Sequence, residues 1–274
     1  MHADGAFRMG KTHSVCQDYV LARSGEPAQI RLADGCSSSP DTDIGARLLA
    51  RLAAQAGCPG DGAGSGDERL LNLILQARGQ AKLLGLEDRA LDATLLEIRV
   101  EKDAWTAELY GDGVLAWADH ADCVHAVSLT YTAGYPCYLN YLADSARRAG
   151  FLAQAGNARE CEEIVLLPGG EVRPVALTQA PGDSPCYRRT GRIQQTRWVA
   201  VLSDGVHSFV RNTVHAGHKV TAPIPWPQAL YALTGFKNVQ GAFVQRRMNR
   251  FLQECEARGW QHRDDIALGA VAPG

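Results

Sequence analysis

The sequence predicts an α+β fold in which antiparallel sheets are covered by helices. Helical and strand-like hydrophobic patterns occur in separate groups along the chain, whereas a doubly wound parallel sheet requires strands and helices to alternate regularly. Hydrophobic residues make up 46% of the 274 residues and charged residues 21%, which are the proportions of a folded globular protein. This length is compatible with one large domain or with two small ones.

Three segments have the hydrophobic periodicity of helices. The first begins near Asp41 and Asp43, which are candidate N-caps. The second begins at Asp67, and the third ends before Gly259. The apolar faces of these helices consist, in turn, of Ile44, Leu48, Leu49 and Leu52; of Leu70, Leu73, Ile74, Ala77, Ala81 and Leu84; and of Phe243, Val244, Met248, Phe251, Leu252 and Cys255.

Between the helical segments, alternation of apolar and polar residues predicts strands that are buried on one face. The alternating segments cover residues 29–32, 96–101 and 105–109. Two further segments, 164–167 and 198–202, are apolar throughout. Such segments are typical of central strands that are buried on both faces.

The charge balance and the cysteines restrict the possible partners and the compartment. With 28 basic and 30 acidic side chains, the formal net charge is −2, so no positive field would attract nucleic acid or an anionic membrane. The first residues lack the apolar core of a signal peptide, and no segment is apolar enough to span a bilayer. The eight cysteines include no Cys-x-x-Cys zinc pair, so we expect reduced thiols in a cytoplasmic protein.

Aspartates recur at the ends of the predicted strands. Three apolar runs finish in Asp34-Gly35, Asp112-Gly113 and Asp204-Gly205, and a fourth strand is entered from Asp264-Asp265. Carboxylates at neighbouring strand ends can converge at one edge of a sheet, and converging oxygen ligands suit Mg²⁺ or Mn²⁺. The alternative is that these pairs are plain hairpin turns, which fits Asp112-Gly113 best. Asp204 follows a strand that is apolar on both faces, which favours a functional role.

Six short motifs follow one another in a specific order. They are GKTHSVCQDY at 10–19, ADG at 33–35, ATLL at 93–96, GDG at 111–113, SDG at 203–205 and DDI at 264–266. Each motif alone is weak, but the ordered series resembles that of the PP2C-type metal-dependent protein phosphatases. The bacterial branch with a His-x-x-x-Gln-Asp opening is the most similar, and the resemblance thins out between about 119 and 197.

The resemblance implies a fold and a reaction. The fold is a four-layer αββα sandwich, two antiparallel sheets flanked by helices, in one domain spanning 1–274 with a variable insertion at about 119–197. Two Mg²⁺ or Mn²⁺ ions lie in a cleft at one end of the sheets, and some members hold a third, weaker ion. By this resemblance, a water that bridges the two ions would attack phosphorus in line and hydrolyse phosphoserine or phosphothreonine in proteins.

The resemblance also assigns roles to individual residues. The implied metal ligands are Asp18, Asp34, Gly35, Asp112, Asp204 and Asp264, and the implied catalytic residues are Asp34, Asp204 and His13. Asp34 would bridge both ions, and Asp204 and Asp264 would complete one of them. The carbonyl of Gly35 would complete the other ion, which Asp18 would hold directly or through a water.

Some positions depart from the family pattern. His13 stands where many members have an arginine that contacts the substrate phosphate, and the alternative is a hydrogen-bonded structural histidine. Gln17 replaces a glutamate, which weakens the binding of the second ion. Cys36 stands where animal-type members have a histidine, a candidate acid for the leaving group. We expect Cys16 and Cys36 to be poor nucleophiles, because neighbouring carboxylates raise the pKa of a thiol.

These departures leave a second hypothesis open. The protein is either an enzyme acting on a phosphorylated protein, with a Ser/Thr kinase or its targets as further partners, or a catalytically silent phosphatase-like module that binds a phosphoprotein or a kinase. A phosphate-loop pattern at 5–12 lacks the preceding strand and following helix that such a loop needs, so we interpret it as a chance match. Tyr131, Tyr135, Tyr138 and Tyr141 either pack against the sheets or belong to a substrate-contacting insertion.

Overall fold

The computed structural model describes residues 1–56, 66–154, 158–181, 186–215 and 218–274. The helices are α1 (Thr42–Gln55), α2 (Gly66–Leu83), α3 (Ser145–Leu152), α4 (Trp226–Leu233) and α5 (Phe243–Ala257). The strands are β1 (His2–Arg8), β2 (Asp18–Arg23), β3 (Ala28–Asp34), β4 (Leu95–Glu101), β5 (Ala104–Tyr110), β6 (Gly113–Ala118), β7 (Val124–Tyr131), β8 (Ala158–Leu166), β9 (Val172–Pro181), β10 (Tyr187–Arg192), β11 (Trp198–Leu202), β12 (Phe209–His215), β13 (His218–Pro223), β14 (Trp260–His262) and β15 (Ile266–Ala272).

The strands form antiparallel sheets, which confirms the predicted α+β class. A seven-stranded sheet has the order β1-β15-β11-β6-β7-β8-β9, and a five-stranded sheet has the order β10-β5-β4-β3-β2. A small third sheet, β13-β12-β14, was not among the two that were predicted. It escaped prediction because the sequence from Phe209 to Pro223 mixes polar and apolar residues without the alternation of a half-buried strand.

Helices and sheets are stacked in layers. The two large sheets face each other through a shared core that includes Ile30 and Ile98 from one sheet and Val201 from the other. Helices α1 and α2 pack on the outer face of the five-stranded sheet, and α4 and α5 pack on the outer face of the seven-stranded sheet. Among the described residues no helix is long and apolar enough to cross a membrane.

The predicted helices agree with the structure in their bounds, but some residues predicted to be on their buried faces are exposed. The buried face of α1 is centred on Gly45, Ala46 and Leu49, while Ile44 is 40% exposed. Small residues are required there because a Cβ on Gly45 would lie 1.6 Å from the carbonyl oxygen of Ala90. Asp41 occupies the N-cap position of α1 but makes no capping hydrogen bond through its side chain.

Two further apolar positions differ from the prediction. Leu84 lies beyond the end of α2 and is 62% exposed. In α5, Phe243, Val244, Met248, Phe251 and Cys255 are buried as predicted, and Leu252 is partly buried against the same core.

The polar face of strand β4 is buried at Glu97, although Glu101 at its end is exposed. Glu97 is buried, and its carboxylate pairs with the guanidinium groups of Arg31 at 2.7 Å and Arg69 at 2.6 Å. Arg69 comes from α2 and also reaches Glu108 of β5 at 3.0 Å. The alternating pattern therefore marks a charged layer between sheet and helix, since buried charges are tolerated when they are paired.

Candidate active site

A cavity of about 290 Å³ opens at the strand ends and is acidic. Its lining includes Asp34, Asp112, Asp204 and Asp264, the four strand-end acids that the sequence singled out. Gly35 also lines it. The prediction that these side chains lie together at one edge is therefore met in the geometry.

Local structure places each acid at a strand end. Asp34 is the last residue of β3, and Asp204 begins a short 3-10 helix directly after β11. Asp264 lies just before β15. A side chain at Gly205 cannot be accommodated, because its Cβ would lie 1.7 Å from the carbonyl oxygen of Asp265.

Asp112 satisfies both interpretations of its Asp-Gly pair. It lies in the tight turn between β5 and β6, and the flanking Gly111 and Gly113 have φ angles of 101° and 130°, a region that favours glycine. The turn also directs Asp112 into the cavity lining. The residue in the hairpin turn is therefore also a residue of the cavity lining.

Asp18 lies beneath the cavity and is not part of its lining. It is paired with Asp34 across β2 and β3, and it is 1% exposed. The hydroxyl of Ser203 donates a hydrogen bond of 2.6 Å to Oδ2 of Asp18. Oδ1 of Asp18 is buried without a hydrogen-bond partner among the described residues. Such an unpaired oxygen is costly unless a cation or a proton satisfies it.

The carboxylates of the cluster destabilise one another. Burial raises the pKa values of Asp18, Asp34 and Asp112 well above their usual range, and the charges of neighbouring aspartates raise them further. Burial and the charge of Asp264 raise the pKa of Asp204 to about 6. The four carboxylates are thus held close together at a cost, which protonation or a bound cation would relieve.

The donor set has the chemistry of a hard-cation site. Carboxylate oxygens and the nearby Gly35 carbonyl are the ligands that Mg²⁺ and Mn²⁺ prefer, and a divalent cation would relieve both the repulsion and the unpaired oxygen of Asp18. As placed, however, no group of three or more His, Cys, Asp or Glu side chains within the described ranges has the arrangement of a metal site. The residues therefore fit such an ion in the chemistry of their oxygen donors.

His13 contacts two adjacent carboxylates. Its Nε2 lies 3.2 Å from Oδ1 of Asp264, and its Nδ1 lies 3.0 Å from Oδ2 of Asp265. The imidazole does not belong to the cavity lining. A structural role is thus visible for this histidine, whereas its contact with a substrate phosphate stays a prediction.

Asp265 has a structural role, whereas the sequence presented Asp264 and Asp265 only as an adjacent pair of acids. Its carboxylate accepts the backbone N–H of Gly10 at 2.7 Å and that of Gln17 at 2.6 Å, and it is buried. These bonds fix the loop that precedes β2. Gln17 in turn donates its side-chain amide to the hydroxyl of Thr42 at 2.6 Å, so it is engaged away from the acids.

The same bonds bear on the phosphate-loop pattern at 5–12. Gly5 lies within β1, paired with Gly269 of β15, and no helix follows the pattern. The N–H of Gly10, which would have to face phosphate, donates to a carboxylate. The interpretation as a chance match agrees with this geometry.

The cysteine prediction holds for one thiol and fails for the other. Burial, with the charges of Asp265 and Asp18, raises the pKa of Cys16 to about 12. Cys36 lines the cavity, and although burial acts to raise its pKa, hydrogen bonds from Ser38 and Tyr138 lower it overall. The expectation of a raised pKa at Cys36 was wrong because it considered only the neighbouring carboxylates and not the hydrogen bonds of Ser38, two residues away, and of Tyr138, which is distant in sequence.

Tyrosines form one wall of the cavity. Tyr135 and Tyr138 line it, and Tyr131, Tyr138 and Tyr141 are buried against Phe151. The packing interpretation therefore agrees with the structure, whereas contact with a substrate stays a prediction. They pack as a cluster, and two of them border the acidic cavity.

Asp92 connects this wall to the loop after β3. Its buried carboxylate receives two hydrogen bonds from Arg147, of 2.8 and 2.6 Å, and one of 2.8 Å from the hydroxyl of Ser39. Its carbonyl accepts the N–H of Cys36 at 2.8 Å. No sequence motif pointed to Asp92 or Arg147, which are separated by 55 positions.

Comparisons with known proteins agree with this fold. The family model for protein phosphatase 2C matches residues 9–253. Comparison with curated proteins finds no match.

Several bacterial phosphatase structures share the fold. A bacterial serine phosphatase is 9% identical over 99% of this chain and 97% of its own, with a TM-score of 0.54. Ser/Thr phosphatase Stp1 from Staphylococcus aureus is 9% identical over 100% and 96%, with a TM-score of 0.53. PppA, a regulatory component of T6SS in Pseudomonas aeruginosa, is 15% identical over 100% and 99%, with a TM-score of 0.52. With the family model matching most of its length, the chain belongs to the protein phosphatase 2C family.

Proposed function

We propose that this protein hydrolyses phosphoserine or phosphothreonine in proteins, in a reaction that depends on Mg²⁺ or Mn²⁺. The observation that carries the proposal is the cavity in which Asp34, Asp112, Asp204 and Asp264 meet. Membership of the protein phosphatase 2C family supports the same reaction class. So many mutually repelling carboxylates in one cavity are costly to the fold, and such a cost is typical of a functional site.

The residues proposed to hold the ions are the acids of the cluster and one carbonyl, namely Asp18, Asp34, Gly35, Asp112, Asp204 and Asp264. When bound, the ions would supply an activated water and positive charge for the phosphoryl oxygens. The chain itself orients the ligands. Ser203 directs the carboxylate of Asp18, and the turn with its two left-handed glycines fixes Asp112.

His13 is proposed to act through Asp264. Its Nε2 lies 3.2 Å from Asp264 and its Nδ1 lies 3.0 Å from Asp265, although Nδ1 makes no hydrogen bond of good geometry among the described residues. A direct contact with substrate would require the ring to leave Asp264. The variant His13→Gln separates the two roles, because glutamine retains one hydrogen-bond donor. It should partly restore the positioning of Asp264, whereas it cannot replace a charged imidazolium that binds phosphate.

The layered packing supports the proposal that residues 1–274 form one four-layer αββα domain, with the segment from about 119 to 197 as its variable part. That segment contributes the tyrosine wall next to the acids. A phosphorylated protein is the proposed substrate, a Ser/Thr kinase or its targets are proposed further partners, and the cytoplasm is the proposed compartment.

The test is hydrolysis of a phosphothreonine peptide with and without Mn²⁺. We expect activity that depends on Mn²⁺ and falls by at least about a thousandfold in Asp34→Asn and in Asp204→Asn. Asp103→Asn, an exposed aspartate in the turn after β4, is the matched control and should keep full activity. Metal-independent activity that survives both cavity substitutions contradicts the proposal.

A second candidate is a catalytically silent module that binds a phosphoprotein or a kinase. It is favoured by Gln17, whose amide is engaged with Thr42, and by the spacing of the acids, which is not that of a preformed metal site among the described residues. Calorimetric titration with Mn²⁺ distinguishes the candidates. Two tight sites support the enzyme, and the absence of binding together with retained phosphopeptide affinity supports the silent module.

A further inference from the structure

A second cavity lies at the start of α5 and differs in charge from the first. Its volume is about 170 Å³, and it shares no lining residue with the acidic cavity. The rings of Phe236 and Phe243 contribute its apolar part. Its cationic side chains are those of Lys237, Arg246, Arg247 and Arg250.

The helix and the loop before it build this cavity together. Phe243, Arg247 and Arg250 are spaced by one and two turns of α5, so their side chains share one face. The loop after α4 places Phe236 against Phe243, with ring centroids 5.1 Å apart at 85°. Phe236 also packs on Trp198 of the central strand β11, at 5.4 Å. The apolar part is therefore anchored in the core.

The positive charges of the cavity are only partly neutralised. Arg247 pairs with Glu254 at 2.9 Å, and Arg246 donates a hydrogen bond of 2.7 Å to the carbonyl of Gln240. Lys237 and Arg250 are exposed, and within the described ranges neither makes an ion pair or a hydrogen bond at contact distance, although the charge of Arg250 helps to lower the pKa of Glu254.

The other acid near the start of α5 does not compensate these charges. Asp4 accepts the backbone N–H groups of Val244 and Gln245 with one carboxylate oxygen, at 2.7 and 3.1 Å. It therefore neutralises the helix terminus, where N–H groups are otherwise unpaired. An excess of positive charge remains around an apolar pocket.

We propose that this cavity is a docking site for an acidic segment of a protein partner. Carboxylates of the segment would meet Lys237 and Arg250, and an apolar side chain between them would enter against Phe236 and Phe243. Charge complementarity argues for an acidic partner, and the aromatic floor argues for a peptide over a small inorganic anion, which gains nothing from apolar surface. The site goes beyond the proposed hydrolysis, because binding here does not depend on the acidic cavity.

The experiment measures fluorescence anisotropy of a labelled peptide of alternating Glu and Leu residues added to the full chain. The test variant is Lys237→Glu with Arg250→Glu. Its matched control is Lys82→Glu with Arg23→Glu, which makes the same charge change at exposed positions on α2 and β2, in the other half of the layered fold. We expect the test variant to bind the peptide at least about tenfold more weakly, the control to bind like the unaltered chain, and added salt to weaken binding.

Further probes decide between occupants. A peptide with Ser in place of Leu should bind several times more weakly, and one with Lys in place of Glu should not bind. Equal binding by test and control variants overturns the proposal, as does equal binding of the Leu and Ser peptides, which would indicate a purely ionic surface. Self-association lost in the test variant, measured by sedimentation, would assign the cavity to a second copy and also overturn it. None of these peptides carries phosphate, so the binding result can be interpreted even if the protein does not hydrolyse phosphoproteins.

Discussion

The hydroxyl of Ser203 lies 2.6 Å from Oδ2 of Asp18 and at the same time accepts the N–H of Ala267 at 2.8 Å. Ser203 thus connects β11, β15 and the buried carboxylate at the start of β2. Both large sheets meet at this hydroxyl, because β2 belongs to one of them and β11 and β15 to the other. The position of Asp18 under the cavity depends on this contact.

Removing that hydroxyl should weaken the fold and the site together. Ser203→Ala leaves a buried carboxylate oxygen and a buried N–H without their partner, which costs about 1–3 kcal/mol of unfolding free energy. Urea denaturation without divalent metal measures the loss, and the Mn²⁺ concentration for half-maximal hydrolysis should rise. Ser208→Ala is the control, since its hydroxyl donates only to the carbonyl of Gly205. Equal losses in both variants contradict a special role for Ser203.

Neutralising one acid of the cluster should stabilise the chain when divalent metal is absent. Burial and the charges of Asp204 and Asp264 raise the pKa of Asp112, so its charged form is disfavoured in the folded state. We expect Asp112→Asn to gain about 1 kcal/mol or more in a chelator. The gain should be larger in alkaline than in acidic buffer, because protonation relieves the same repulsion in the unaltered chain.

The metal dependence of stability checks this prediction further. Mn²⁺ should raise the melting temperature of the unaltered chain more than that of Asp112→Asn, since a bound cation and the substitution relieve the same repulsion. Asp103→Asn, outside the cluster, should behave like the unaltered chain. A destabilised Asp112→Asn with an intact fold would mean that the cluster is not repulsive.

Breaking the link between Arg147 and Asp92 should loosen the tyrosine wall. Asp92 is 1% exposed, and Arg147→Ala leaves its charge without the bidentate partner, at a cost of about 2 kcal/mol or more. Arg147→Lys should restore part of the lost unfolding free energy, because its ammonium group supplies a positive charge to Asp92 but cannot make the two parallel hydrogen bonds of a guanidinium. Thermal denaturation measures both.

Activity on two substrates separates this effect from a general loss of structure. If Tyr135 and Tyr138 form the substrate-facing wall, KM for a phosphopeptide should rise more than KM for a small aryl phosphate. Arg173→Ala is the control, because Arg173 and its partner Glu171 are both largely exposed. Unchanged stability in Arg147→Ala would show that the buried carboxylate of Asp92 finds another partner.

His207 should make the protein sensitive to acid. Burial lowers the pKa of His207 from its usual 6.5 to about 4, and its Nε2 lies 3.1 Å from the hydroxyl of Ser128. Between these two pH values the unfolded chain binds a proton that the folded chain does not. The stabilising contribution of the neutral ring is therefore complete above pH 6.5 and is lost as the pH falls toward 4, up to about 3 kcal/mol.

The measurement is the free energy of unfolding between pH 7 and pH 4. In His207→Gln this part of the pH dependence should be absent, because glutamine does not titrate and can still bond to Ser128. His120→Gln, at an exposed position, should keep the acid sensitivity. A pH profile that is identical in all three proteins contradicts the assignment to His207.

Much of the acidic cavity could be predicted because short-range patterns determine it. Asp34, Asp112 and Asp204 each end an apolar run, and antiparallel pairing brings such ends together without information from distant residues. Asp264 and Asp265 show where this stops. They are neighbours in sequence, yet one lines the cavity while the other is buried beneath the loop at Gly10, because successive side chains at a strand point to opposite sides.

The remaining features depend on contacts between distant residues. Glu97 is buried by its ion pairs although the alternation of β4 marks it as exposed, and this depends on Arg31 of β3 and on the packing of Arg69 from α2. The lowered pKa of Cys36 depends on Tyr138, about a hundred positions away in the chain. Ile44 is exposed because Gly45 must approach the carbonyl of Ala90 closely, a contact that periodicity does not encode.

The hydrogen bonds from Gly10 and Gln17 to Asp265 have a consequence for how the protein is made. They join residues separated by 255 and 248 positions, and β15 inserts between β1 and β11 just beyond Asp265. Contacts of such separation form late, because the entropy of closing so long a loop has to be overcome first. We expect a growing chain to carry Asp18 and Asp34 for most of its synthesis without the loop that fixes them. The acidic cavity then assembles only when Asp264 and β15 have been added, so a partly synthesised chain lacks the complete cavity.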